Sequence, residues 1–137
     1  MPRFRPPFPA AFGVWGKPSN INNVKTLAYV PQIVLKGGDW FSGIGQNKSK
    51  GTAILCLSGN LEFTGMVEVP MGISLEEVIY DVAGGMSDGK SLKLLQTGGP
   101  LGGVLNRQGL NVSLDFDEMA SVGAILGSGG IIAANED

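Results

Sequence analysis

The sequence predicts an α+β fold, and three observations near the middle of the chain carry that reading. Residues 52–58 (TAILCLS) form a short apolar run with β-branched members, of strand length. Residues 59–65 supply turn formers, and residues 66–69 (MVEV) alternate as a half-buried strand does. Ser74-Leu-Glu-Glu77 then has the spacing of a capping box: the Ser74 hydroxyl can accept from the Glu77 amide while the Glu77 carboxylate reaches back. Ile73 and Val78 stand at the two staple positions. Leu75, Val78, Ile79 and Val82 follow i, i+3, i+4, i+7, and Gly84 sits where the residue after a helix C-cap would. Two strands crossed by one amphipathic helix make the core of a β-grasp domain, expected over residues 51–137.

The preceding segment, residues 1–50, has a different character. Residues 1–18 hold five of the eight prolines, which disfavour helix and favour extended backbone. Phe4, Phe8, Phe12 and Trp15 are interleaved with them. A solvated linker seldom carries so many aromatics, so this stretch is expected to pack on a neighbour, with a disordered end as the alternative. Asn22 and Asn23 are good N-cap residues, and Val24, Leu27 and Ala28 give one apolar helical face. Pro31 lacks an amide and presses on the preceding turn, which predicts a helix to about Val30 and then a break or kink. A further turn or two follows through Leu35, with Gly37 as the stop. Residues 38–51 (GDWFSGIGQNKSKG) are expected as a loop anchored by Trp40 and Phe41, with a small basic cluster at Lys48 and Lys50.

Beyond the helix, residues 84–90 are expected as a loop and residues 92–97 as a strand, followed at once by Gly98-Gly-Pro-Leu-Gly-Gly103. Residues 104–111 have no regular pattern, and residues 112–114 are expected as a short strand. Asp115 with Glu118 repeats the acidic cap before Met119 and Val122, predicting a short helix closed by Gly123. Leu126-Gly-Ser-Gly-Gly130 leads into a final strand over residues 131–134. No internal repeat is present.

Composition excludes several function classes. Ten Lys and Arg against twelve Asp and Glu give a net charge of −2, without the basic face that nucleic acid demands. No apolar run approaches the roughly 20 residues that span a bilayer, so no direct membrane insertion is expected. The first dozen residues contain two arginines but no apolar core of a secretory signal. Cys56 stands alone, which rules out an internal disulfide and suggests a reducing, cytoplasmic setting. There is no histidine, the commonest general base and metal ligand, and one cysteine cannot hold an iron–sulfur cluster, which takes about four thiolates. Glycine, at 22 of 137 residues, is more than twice its roughly 7% average, so turns or close backbone approaches are frequent. Self-contained catalysis is not expected, and no catalytic or metal-binding residue is assigned.

Each candidate site has a plain structural reading beside the functional one. The Asn22-Asn23 pair puts two amides at a helix start, where free backbone amides also point outward, a geometry suited to a phosphate or a flavin edge. On the residues alone an ordinary N-cap is the favoured reading. The Gly98-to-Gly103 run could bring amides to an anion or planar ring, but it is neither a P-loop nor a dinucleotide fingerprint. The run around Ser128 lacks the nucleophile-elbow pattern. Cys56, alternating with Ile54, is expected as a small buried apolar group. Glu76, Glu77, Asp117 and Glu118 sit at helix starts, where they favour the dipole.

Three stretches together resemble one family. Trp15-Gly-Lys-Pro-Ser-Asn-Ile-Asn-Asn-Val-Lys-Thr-Leu27 resembles the segment ending the flavin domain in the flavoprotein subunit of NADH-quinone oxidoreductase and its relatives in NAD(P)-linked hydrogenases and formate dehydrogenases. Residues 51–82 resemble that subunit's soluble-ligand-binding β-grasp (SLBB) domain. Gln96-Thr-Gly-Gly-Pro-Leu-Gly-Gly103 with Leu126-Gly-Ser-Gly-Gly130 looks most like the hydrogenase and formate-dehydrogenase branch. The resemblance implies that residues 1–50 are the end of a flavin-binding domain plus a linker helix. It also implies a function for the intact subunit: NAD(P)H reduces FMN, which passes single electrons to a 4Fe–4S cluster. On the family pattern Asn22, Asn23 and Thr26 would contact FMN. Lys25 stands where glutamate is expected, and Val104 where the hydrogenase branch often has cysteine.

The family's FMN- and dinucleotide-binding region would precede this chain and its cluster cysteines would follow, so the chain is expected to be an internal piece, inactive and cofactor-free alone. Its expected partners are the remaining domains of the subunit and other subunits of a redox complex, either cytoplasmic or peripheral to a membrane assembly. Two other classes stay open: a stand-alone β-grasp module binding a small soluble ligand, and a subunit-docking domain.

Overall fold

The computed structural model describes residues 2–136; Met1 and Asp137, the outer bounds of the two expected segments, lie outside the described residues. The fold mixes helix and sheet, as an α+β chain does. It divides into two compact units, the first ending at Gly38 and the second starting at Asp39.

In the first unit a proline-rich stretch turns back on itself. The Ser19 amide donates to the Pro9 carbonyl (2.9 Å), and the Ser19 hydroxyl accepts from the Val14 amide (2.9 Å). A single helix, α1 (Val24–Lys36), follows. The expected break at Pro31 does not occur: proline sits inside a continuous helix. Its missing amide leaves only the Leu27 carbonyl without an in-helix donor, and Leu27 is exposed, so water can serve that oxygen. Gly37 closes the helix with φ +90°, its amide donating to Ile33 at 2.8 Å.

The second unit begins inside a short helix, α2 (Gly38–Ser42), and continues with a small hairpin of β1 (Gly45–Gln46) and β2 (Ser49–Lys50), in place of the expected loop. Phe41 organises this region by lying against Gly51, where a Cβ would collide with its ring. The main sheet has five strands: β3 (Thr52–Gly59), β4 (Gly65–Pro70), β5 (Leu92–Thr97), β6 (Val104–Leu105) and β7 (Gly130–Asn135). Their order across the sheet is β4-β3-β7-β5-β6. β3 pairs antiparallel with β4 and parallel with β7, and β7 pairs antiparallel with β5.

One face of the sheet is covered. Ala53, Leu55 and Leu57 of β3 join Leu92, Leu95, Ile131 and Ala133 in a core shared with Leu75, Val78, Ile79, Leu110, Leu114 and Met119. Burying each large aliphatic side chain is worth roughly 1.5–3 kcal/mol, so this layer dominates the stability of the unit. Cys56 lies on the opposite parity and is exposed, which overturns its expected burial. Both parities of TAILCLS are apolar, and the helix packs on the side of Leu55. In β5 a register irregularity between Leu92 and Leu94 turns both Leu92 and Leu95 inward.

The core helix begins as expected and then widens. α3 (Leu75–Glu77) carries the complete capping box, after which residues Val78–Val82 form a π turn, with the Ala83 amide donating to the Val78 carbonyl at 3.0 Å. The extra residue in that turn rotates the stripe by one position. Ala83 is fully buried and Val82 only half-buried, where a regular helix would have placed Val82 inside. Residues 112–114 do not form the expected strand. Their backbone instead brackets the helix entry, with the Leu75 amide donating to Val112 (3.0 Å) and the Gly72 amide to Leu114 (3.0 Å). α4 (Phe116–Ser121) has Asp115 as its N-cap, and Gly123 follows with φ +72°.

Candidate functional site

The start of α1 is the best-defined candidate, and it is built from the backbone outward. Asn23 leaves the helix in extended geometry (φ −67°, ψ 135°), and its Oδ1 accepts from the Lys25 amide at 2.9 Å. Its carbonyl accepts from the Leu27 amide at 3.1 Å. With Oδ1 engaged in the cap, the side-chain amide of Asn23 keeps its NH2 as an outward donor. Asn22 and Thr26 are exposed on either side of it. No acidic residue occupies the first turn of α1, so the positive end of the helix dipole is not offset there. The Lys25 ammonium lies 5.8 Å from the Tyr29 ring centroid, along the helix rather than at its tip. This donor set of amides and a hydroxyl suits the carbonyl edge of a flavin or a phosphate.

Next to it lies a pocket that sequence reading missed. A cavity of about 210 Å³ is lined by Phe8, Pro9, Ala10, Ser19, Asn20 and Ile21. It exists because the Ser19 contacts with Pro9 and Val14 fold the proline-rich stretch over residues 19–21. Arg5 lies 4.4 Å from the centroid of the Phe8 ring.

The two glycine-rich loops of the second unit touch each other, and three of their amides are taken up by backbone carbonyls. The Gly98 amide donates to the Gly130 carbonyl (2.9 Å), the Gly102 amide to Gly99 (2.9 Å) and the Gly129 amide to Leu126 (2.9 Å). A Cβ at Gly127 would lie 2.6 Å from the Gly98 carbonyl oxygen, so close backbone packing accounts for the glycines. Ser128 is an exposed turn residue.

The acidic residues of this unit work as caps and clasps. Asp115 Oδ1 accepts from the Asp117 (3.0 Å) and Glu118 (3.1 Å) amides, and the Ser49 hydroxyl accepts from the Phe116 amide (3.1 Å). The Glu118 backbone bond, then the Ser49 hydroxyl, holds the Asp115 carboxyl below its usual range. Lys48 pairs with Asp117 at 3.4 Å across exposed surface, and Glu118 accepts from Gln46 and the Ser113 amide. The Trp40 and Phe41 rings lie 6.4 Å apart, tilted by 54°. Phe41 packs on Gly51, whereas Trp40 is exposed, so only Phe41 acts as the expected anchor. Among the described residues no group of His, Cys, Asp or Glu is disposed to hold a metal ion, and no helix is long and apolar enough to cross a membrane. The single cysteine does not fit an iron–sulfur cluster.

No family model matches the chain. Relatives do. The NADP-reducing hydrogenase subunit HndC of Solidesulfovibrio fructosivorans is 51% identical over 136 residues, covering 99% of this chain and 28% of that protein. An F-type subunit of NADH-quinone oxidoreductase from Rhizobium meliloti is 44% identical over 136 residues, covering 99% of this chain and 32% of that protein. Among solved structures, an NAD+-reducing [NiFe]-hydrogenase in the air-oxidised state matches with a TM-score of 0.74 at 30% identity, over 99% of this chain and 23% of that one. The same kind of enzyme in the H2-reduced state matches with a TM-score of 0.76 at 31% identity, over 97% of this chain and 22% of that one. The chain thus spans less than a third of the length of each of these proteins. Over nearly all its own length it is a homologue of the F-type subunits of NADH-quinone oxidoreductase and of related NAD(P)-linked hydrogenase subunits.

Proposed function

We propose that the chain serves NAD(P)H oxidation as part of a flavoprotein subunit, with Asn22, Asn23 and Thr26 as contacts to FMN. The observation that carries this reading is the start of α1: two neighbouring amides and a hydroxyl, exposed, on a helix end with no acidic residue in its first turn. The Asn23 NH2 would donate to a flavin carbonyl, because its oxygen is held by the Lys25 amide. Asn22 can donate or accept, and Thr26 adds a hydroxyl about one turn on. Bound FMN supplies the conversion of a hydride from NAD(P)H into single electrons for a 4Fe–4S cluster. The chain's part is to hold and orient.

Residues 1–50 would then close a flavin domain, and residues 51–137 would be an SLBB β-grasp domain that braces it within a redox complex on the cytoplasmic side. The strand order β4-β3-β7-β5-β6, with a parallel β3–β7 pair at its centre and one crossing helix, supports the β-grasp reading. That the chain is a piece of a larger subunit is supported by large apolar side chains left open in the first unit, where a neighbour would cover them: Phe4 is 100% exposed, Trp15 94% and Val24 80%.

The test is a graft. This chain, exchanged for the matching stretch of the Solidesulfovibrio fructosivorans protein, should give a hybrid that retains FMN, and Asn22→Ala with Asn23→Ala should lower its flavin content several-fold. Unchanged flavin content in the double variant overturns the assignment. The chain by itself should bind FMN weakly or not at all, and tight one-to-one binding would overturn the bracing role.

A further inference from the structure

We draw no further inference here: the strongest candidate, the apolar outer face of the main sheet around Ile54, Cys56, Met66 and Ile132, is left uncovered and nothing in the structure shows what covers it.

Discussion

Ser74 and Glu77 satisfy each other at the start of the core helix. The Ser74 hydroxyl accepts from the Glu77 amide at 3.1 Å, and the Glu77 carboxylate accepts from the Ser74 amide at 2.9 Å and from its hydroxyl at 2.8 Å. Few helices this short survive without such a cap, since the first amides have no partners inside the helix. Ser74→Ala should therefore lower stability by about 1 kcal/mol, seen as an earlier urea midpoint with an unchanged slope. A variant as stable as the parent would mean that the box contributes nothing.

Acid should weaken the fold through two carboxyls. The Ser74 backbone bond, followed by its hydroxyl, holds Glu77 below its ordinary value of 4.5, and the Glu118 backbone bond leads in holding Asp115 below 3.8. The folded chain therefore binds fewer protons than the unfolded one across this range. Their contribution is complete above the ordinary values and is lost as pH falls through the lower, folded ones. Urea midpoints should be level from neutrality to about pH 5 and then fall. Asp115→Asn should be less stable than the parent near pH 7, with the gap narrowing only as pH falls below the ordinary carboxyl value of 3.8. A gap that stays constant would show that Asp115 is not the titrating group.

How much of this was legible in the chain depends on how local each signal is. The capping box and the Asp115 cap need only residues three apart, and both are where the sequence puts them. The burial of Ala83 in place of Val82 was not legible, because the π turn is set by what the helix packs on. The parity of β3 was hidden for the same reason: Ile54 and Cys56 look as apolar as Leu55 and Leu57, and only the helix above the sheet chooses between them. Pro31 misled in the other direction, since an exposed carbonyl can lose its helical donor to water at little cost. At the candidate site, Asn23 as a cap was readable from its neighbours. The pocket beside it was not, because it depends on Ser19 reaching Pro9 and Val14, contacts with no periodic signature.

Thr97 is a buried hydroxyl with a spare bond. Its amide donates to the Gly103 carbonyl at 3.0 Å, but its Oγ1, fully buried, has no partner among the described residues. An unmet buried hydroxyl costs about 1–3 kcal/mol relative to a satisfied one. Valine keeps the β-branched shape, so Thr97→Val should raise stability by about 1 kcal/mol in thermal or urea unfolding. A loss of stability would mean that the hydroxyl does find a partner.

Cys56 should behave as a surface thiol. Because it lies on the open face of β3, a thiol reagent should modify it to one equivalent in the native chain, at a rate within several-fold of that in urea. Labelling that waits for unfolding would place Cys56 inside after all.

Gly59 tests the join between the first and last strands of the main sheet. It pairs with Ala133 across β3 and β7, has φ +95°, and a Cβ there would overlap the Ala133 carbonyl oxygen. Two costs are combined at this position, the left-handed backbone and the collision. Gly89 separates them, because its φ is +66° but a Cβ there would meet nothing within 4 Å. Gly89→Ala should cost only the backbone penalty, about 1–2 kcal/mol. Gly59→Ala should cost clearly more, since relief requires β7 to move away from β3 and breaks the bond from the Asn60 amide to the Ala133 carbonyl (2.8 Å). Equal losses from the two substitutions would mean that the close approach of Gly59 to the Ala133 carbonyl adds nothing beyond the backbone penalty.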